Sequence, residues 1–259
     1  MAVYYNEFDP YAAQWLRNLI GRGLLPAGEV DERSIVDVKA DDLKGFTQCH
    51  FFAGIGGWSY ALRLAGWADD RPLWTGSPPC QPFSPSGRQR GVEDERHLWP
   101  TFFDLIRTCR PPVVMGEQVA AAVGKDWLDG VCSDLEKIDY SCGAVVVPAC
   151  AVDAPHRRDR LWFVADTNGS RGEAWLSAQD GGLERISEVA DNGSHRRAGP
   201  WGECHWLTSP TGKTRRVKPS LPLLADGLSP RVGRLRAYGN AIVPQLAAQV
   251  IAAYMEKDQ

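Results

Sequence analysis

The chain has 259 residues, 44% of them hydrophobic and 24% charged. That apolar fraction excludes disorder as the dominant state and fits one α/β domain, alone or with a small insert. The longest apolar stretches, such as residues 144–147 and 247–254, are far too short to span a bilayer. No basic segment leads into a long apolar run, so no secretory signal is expected. Seven cysteines, an odd number without a CxxC pair, argue against a disulfide framework and for a reducing cytoplasm. The formal net charge of −3 argues against nucleic-acid binding by overall charge, yet the charge is uneven. Residues 1–150 hold 14 Lys/Arg against 20 Asp/Glu, and residues 151–259 hold 15 against 12. Basic clusters at 156–160, 195–197 and 213–218 read either as solvated surface or as a footprint for phosphates.

In chain order, residues 2–5 form a short apolar run that reads as a strand. Asp9-Pro10 follows as an N-cap with Pro at the first helical position, and Gly21 offers a stop. Between them Ala12, Trp15, Leu16 and Leu19 keep the i, i+3, i+4, i+7 spacing of an amphipathic helix over 10–20. Runs at 49–52, 73–75, 113–115, 144–147 and 161–164 read as buried parallel strands. Residues 58–65, 99–109 and 127–138 read as helices, and Pro244 opens a last one with the face Ala247, Val250, Ile251 and Tyr254. Strands alternating with helices imply a doubly wound, mostly parallel α/β sheet. Residues 166–227 break the rhythm, being rich in Gly, Ser, Asp, Asn and Arg, and read as a small inserted domain. The division is therefore 1–165, the insert 166–227, and 228–259 returning to the first part.

Two segments carry chemistry. Phe52, Ala53, Gly54, Ile55, Gly56 and Gly57 follow a strand and open a helix at Trp58. Glycines there admit close backbone approach, and a helix N-terminus favours an anionic group. Alone, such a turn could serve NAD, FAD, S-adenosylmethionine, or packing only. The segment 76–84 is more specific, because Pro78, Pro79, Cys80 and Gln81 stand at a strand end, where α/β enzymes keep reactive groups. Free cysteine is usually a small buried hydrophobe, which suits Cys109 and Cys132, but Cys80 is flanked by polar and turn-forming residues. Residues 84–97 are rich in Gly, Arg and Glu, as a mobile lid would be.

Together these residues resemble the DNA (cytosine-5) methyltransferase family. The resemblance covers 1–165 and about 228–259. It rests on the Phe-Ala-Gly-Ile-Gly-Gly phrase, the Pro-Cys-Gln phrase, Glu117-Gln118-Val119, the run Pro155 to Arg160, and Gly239-Asn240-Ala241-Ile242-Val243-Pro244. It implies a Rossmann-like S-adenosylmethionine-dependent fold with a small target-recognition insert. It assigns Cys80 as nucleophile, Glu117 as the acid that holds the base, and Arg158 and Arg160 as contacts that order the site. Cofactor contacts fall on Phe52, Ala53, Gly54, Ile55, Gly56, Gly57, Trp58, Pro78, Asn240 and Ala241. The lid residues Ser84, Arg88 and Arg90, with Gln81, are candidates for DNA contact, as are Arg215 and Arg216 in the insert. Two positions depart from the pattern: Gln118 where Asn is usual, and His156 where Gln is usual.

The order is unusual too. Between Gly57 and Cys80 there is no room for the further strand-helix-strand unit of the usual layout. The missing phrase is found at the N-terminus instead, where the run Val3 to Ala13 contains Glu7 at a strand end. Glu7 is the candidate for ribose hydroxyls, as acids are at this place in dinucleotide folds, the alternative being a capping pair with Asp9. Ser34 and Ile35 fall on the third motif, with Ser34 where Asp is usual and Asp31 or Asp37 open as substitutes. A rearranged order follows, and it requires residues 2–5 to lie beside 49–52. If the helix after the glycine turn stays on the cofactor face, its crossover would be left-handed.

The implied reaction is methyl transfer from S-adenosylmethionine to C5 of a flipped-out cytosine in double-stranded DNA, through a Cys80–C6 adduct. Alternatives are a tRNA cytosine-5 methyltransferase, a non-catalytic DNA- or cofactor-binding remnant, and a NAD-dependent enzyme. No metal site is expected, since Cys142, Cys150, Cys204 and His205 lack zinc spacing. A cytoplasmic monomer, bacterial or phage-encoded and without membrane contact, is expected.

Overall fold

A computed structural model describes residues 2–79, 98–125, 127–167, 205–208, 214–217 and 239–256. The expected helix cap is present: Asp9 accepts hydrogen bonds from the backbone N–H groups of Tyr11 and Ala12 at 2.9 and 3.2 Å. It starts α1 (Pro10–Gly21), which buries Ala12, Ala13 and Leu16. The helix runs through Gly21, and the left-handed residue that closes it is Gly23.

Seven strands form one sheet: β1 (Ala2–Asn6), β2 (Gly28–Asp31), β3 (Phe46–Phe51), β4 (Leu73–Gly76), β5 (Val113–Val119), β6 (Ser141–Pro148) and β7 (Asp159–Asp166). Their spatial order is β2-β1-β3-β4-β5-β7-β6. The first five run parallel, while β7 is antiparallel to both of its neighbours. The runs 144–147 and 161–164 are therefore not a parallel pair. Only the run 161–164 is buried throughout, while 144–147 lies on the edge strand with Val146 exposed, and an apolar run of either kind carries no sign of strand direction. The strand β2 precedes the Ser34–Val38 phrase, and residues 35–37 form a 3-10 turn rather than a strand.

Register assigns the two faces. Tyr4, Cys49, Trp74 and Val114 stand side by side on one, and Tyr5, His50, Thr75 and Met115 on the other. The first face packs under α3 (Trp99–Cys109), α4 (Trp127–Glu136) and the turns near Ile35 and Leu43, in an aromatic core with Phe51, Phe102 and Phe163. The second face carries α1, α2 (Gly57–Ala65) and α5 (Pro244–Glu256). The expected face of α5 is buried in full: Ala247, Val250, Ile251 and Tyr254.

Strand β1 lies beside β3, with Tyr4 opposite Cys49 and Asn6 opposite Phe51. Handedness now follows. The connections β1→β2, β2→β3, β4→β5 and β5→β6 combine side-step and helix face in the same sense. Only β3→α2→β4 combines them in the opposite sense, because it steps away from β2 while α2 shares the face of α1. Since about 98% of such crossovers are right-handed, the odd one is the left-handed unit. Apart from this sheet, β8 (His205–Thr208) and β9 (Thr214–Val217) pair antiparallel, with Trp206 opposite Arg216 and Leu207 opposite Arg215. Asp166, placed at the start of the proposed insert, is instead the buried last residue of β7; apart from it, Thr167, β8 and β9, residues 166–227 lie outside the described residues.

Candidate active site

The exit loops of β1, β3, β4 and β5 meet at one edge of the sheet, and hydrogen bonds join them. Glu7 follows β1. One carboxylate oxygen accepts from the backbone N–H of Gly54 at 2.6 Å, the other from that of Asp9 at 2.8 Å. The acid at the end of β1 thus grips the glycine turn after β3, and the capping contact with Asp9 is made at the same time. Ala53 N–H also donates to the Asn6 carbonyl.

The turn is tightly bent. Phe52, Gly54 and Gly56 all have positive φ, and for Phe52 at 53° this is strained backbone of the kind kept at binding sites. Gly56 has no space for a side chain, since a Cβ would fall 2.4 Å from Leu25 of the core. A Cβ on Gly54 would meet nothing within 4 Å. One glycine is thus required from beneath, and the other leaves open space beside the Glu7 carboxylate. Gly57 faces Ile242, whose Cγ1 lies 2.7 Å from an ideal Cβ position, so the 239–242 segment closes over the start of α2.

Trp58 is buried, packs edge-on against Trp162 of β7, and donates its Nε1–H to Ser77 Oγ at 2.9 Å. Gln118 is buried and donates its amide to the Pro78 carbonyl at 3.3 Å, while its own oxygen accepts from Val119 N–H. The departure from Asn at this position therefore has a use: the longer side chain ties the end of β5 to the loop that leads into Cys80. Cys80, Gln81, Ser84, Arg88 and Arg90 lie outside the described residues.

Glu117 projects from β5 opposite Trp162 and is 8% exposed. Arg160 of β7 meets it, Nε to Oε1, at 2.7 Å. Burial pushes the Glu117 carboxyl above the usual carboxylate range, against the opposing pull of Arg160 and then Arg158. Arg158 is placed differently from Arg160. Its two terminal nitrogens donate to the carbonyls of Gly239 and Ala241 at 3.0 and 2.8 Å. It holds the 239–241 turn, which carries Asn240, while Arg160 holds the acid. His156 is exposed.

The remaining expected residues divide. Ile35 is sealed in the core beneath β1, and Ser34 heads its 3-10 turn without a side-chain cap. Asp31 accepts from the Tyr4 hydroxyl at 2.6 Å and pairs with Arg33, and Asp37 is exposed. Phe8 was missed by the sequence reading. It follows Glu7, whose carboxylate holds Gly54, and is 71% exposed, a large aromatic side chain in water. An aromatic residue directly after a strand-end acid is the signal that would have found it. No described helix is long and apolar enough to cross a membrane. Among the described residues no cluster of three His, Cys, Asp or Glu could hold a metal.

The sheet, its glycine turn and the acid on the neighbouring strand define the α/β fold of S-adenosylmethionine-dependent methyltransferases. Comparison with known proteins narrows the class. The C-5 cytosine-specific DNA methylase model matches residues 67–192 of this chain. It is 35% identical to the type II methyltransferase M.AplI of Arthrospira platensis over 35% of this chain and 27% of that protein. It is 27% identical to the type II methyltransferase M.HhaI of Haemophilus parahaemolyticus over 52% of this chain and 53% of that one. The chain thus spans about a quarter to a half of the length of these relatives. Among solved structures, the S. pombe Dnmt2 methyltransferase aligns with a TM-score of 0.47 and 16% identity, covering 76% of this chain and 49% of that one.

Proposed function

We propose that the protein transfers a methyl group from S-adenosylmethionine to C5 of cytosine in double-stranded DNA. The observation that carries this reading is the buried Glu117–Arg160 pair, fastened through Gln118 and Pro78 to the loop that delivers Cys80. The glycine turn fits the cofactor: Gly54 opens onto free space beside Glu7, and the exposed Phe8 ring stands next to that acid. Glu7 would accept from ribose hydroxyls, Phe8 would stack on the adenine, and the 239–242 segment would wall the pocket. The bound cofactor supplies an electrophilic methyl group on its sulfonium.

The chain's own residues do the rest. The Cys80 thiolate adds to C6 of cytosine, which makes C5 nucleophilic. Glu117, held above the usual carboxylate range by burial, carries the proton that N3 needs as negative charge develops there. Arg160 fixes the acid's orientation and presents its guanidinium to the base. After methyl transfer the C5 proton leaves and Cys80 is eliminated. The target must be flipped from the duplex, which costs a few kcal/mol. The β8–β9 hairpin, with Arg215 and Arg216, belongs to the segment that would touch DNA. Beside the resemblance of motifs, the placement of β1 between β2 and β3 supports the rearranged order.

The test is methyl incorporation from labelled cofactor into duplex DNA and into tRNA, followed by bisulfite mapping. Transfer to duplex cytosine that Cys80→Ala abolishes while DNA binding persists is the expected result. Transfer to tRNA alone, or none to any DNA offered, would overturn the reading.

A further inference from the structure

Away from that edge, two cysteines meet across the opposite layer. Cys132 lies on α4 and Cys142 on the edge strand β6, and their sulfurs are 2.9 Å apart. A disulfide has sulfurs about 2.05 Å apart, so closure needs a movement of less than about 1 Å. Cys132 is half-buried, whereas Cys142 is buried, 7% exposed. The other described cysteines differ. Cys49 is fully buried, Cys109 lies against the Ala40 carbonyl, and Cys150 is exposed.

We propose that Cys132 and Cys142 are a redox-active dithiol, which closes to an internal disulfide by exchange with a low-molecular-weight disulfide. Exposure divides the two thiols: Cys132 is half-buried, whereas burial holds the Cys142 thiol above the ordinary range. Cys132 is therefore the attacking group. Its thiolate forms a bond to one sulfur of the small disulfide and releases one small thiol, leaving a mixed disulfide on Cys132. Cys142 then gives up its proton, attacks the Cys132 sulfur, and releases the second small thiol. Two protein thiols are oxidised and one small disulfide is reduced to two thiols.

The bond would latch α4 to β6. Helix α4 anchors the start of α3 through the Trp99 Nε1–H to Asp134 Oδ2 hydrogen bond at 3.1 Å. The latch would therefore stiffen the platform from which α3 begins.

The experiment uses the full chain and oxidised glutathione, with non-reducing peptide mapping as the readout, and needs no methyl-transfer assay. A peptide pair joined through Cys132 and Cys142, lighter by two hydrogens, is expected, with an upward shift in melting temperature that dithiothreitol reverses. Cys142→Ser should trap glutathione on Cys132, and Cys132→Ser should leave Cys142 unmodified. Because the cross-link is read in the unmutated protein, poor folding of a variant does not decide the matter. Glutathione on the exposed Cys150 without any 132–142 link overturns the proposal. So does a link to another cysteine, or modification of Cys142 in the Cys132→Ser chain at the rate of Cys132.

Discussion

Arg160→Ala should expose the energetics of the Glu117 site directly. Removing one member of a buried pair costs about 3–5 kcal/mol, because the remaining charge is left without compensation. The Arg160 side chain keeps 22% of its exposure and that of Glu117 keeps 11%, so water screens part of the interaction. The loss therefore belongs near the lower limit, about 3 kcal/mol. For a domain of this size that lowers the melting temperature by roughly 6–12 °C. The deficit should also depend on pH. Burial already raises Glu117, and without Arg160 it rises further. A carboxyl raised in the fold is no burden below its unfolded value, where it is neutral in both states. Stability is lost as pH rises through the folded value. The variant should thus approach the parent near about pH 4 and fall furthest behind near about pH 8. Arg160→Met combined with Glu117→Gln, which removes both charges, should recover most of the loss. Urea unfolding across this pH range tests the set. A deficit that stays flat with pH, or a double variant as unstable as Arg160→Ala, would refute the reasoning.

Three further outcomes follow from the same contacts. Gly116→Ala places a Cβ 2.2 Å from the Phe163 ring and 2.8 Å from the Gly76 carbonyl, so denaturant melts should show a loss of about 3 kcal/mol or failure to fold. His50 is fully buried, bonded through Nδ1 to Thr75 Oγ1 at 2.8 Å, and burial pushes it down to about 3. A group lowered in the fold costs stability as pH falls from its unfolded value toward the folded one. His50→Gln should therefore gain on the parent by about 1.4 kcal/mol per pH unit below pH 6.5 in urea melts. Phe8→Ala should weaken cofactor binding about tenfold, the loss of roughly one aromatic stacking contact, with little change in kcat. Titration calorimetry with S-adenosylmethionine checks this.

What the sequence disclosed and what it concealed follow from the range of the forces involved. The Asp9 cap, the apolar face of α5 and the limits of α3 are local, set by contacts within a few residues. The strand β2 is short, Gly-Glu-Val-Asp, with no apolar run to betray it; its place is fixed by pairing with β1. The direction of β7 is also non-local, since a strand covered on both faces reads alike either way. In the site, Glu117 and the glycine turn were legible because their chemistry is restricted to few residue types. The divergence of the two arginines was not. Arg158 reaches carbonyls more than 80 residues away in the chain, and Arg160, two positions on, reaches Glu117. Nothing in the run Arg157-Arg158-Asp159-Arg160 assigns one to backbone and the other to a carboxylate.

The left-handed unit and the site have one cause. Helix α2 must begin where the glycine turn leaves β3, and that turn is fixed from beneath by Leu25 and from the side by Glu7. Its face is then determined: Ser59 lies 3.1 Å from the Tyr5 hydroxyl, Gly57 meets Ile242, and Trp58 meets Trp162, all on the side of α1 and α5. The opposite face beside β4 is already filled by α3 through Trp74 and Phe102. With β1 and β2 occupying the sheet on one flank of β3, the next strand has only the other flank to join. A right-handed crossover to that flank would carry α2 to the filled face and turn the glycine loop away from Glu7. The rare hand is thus what keeps the acid of β1, the turn after β3 and the loop after β4 together at one edge of the sheet.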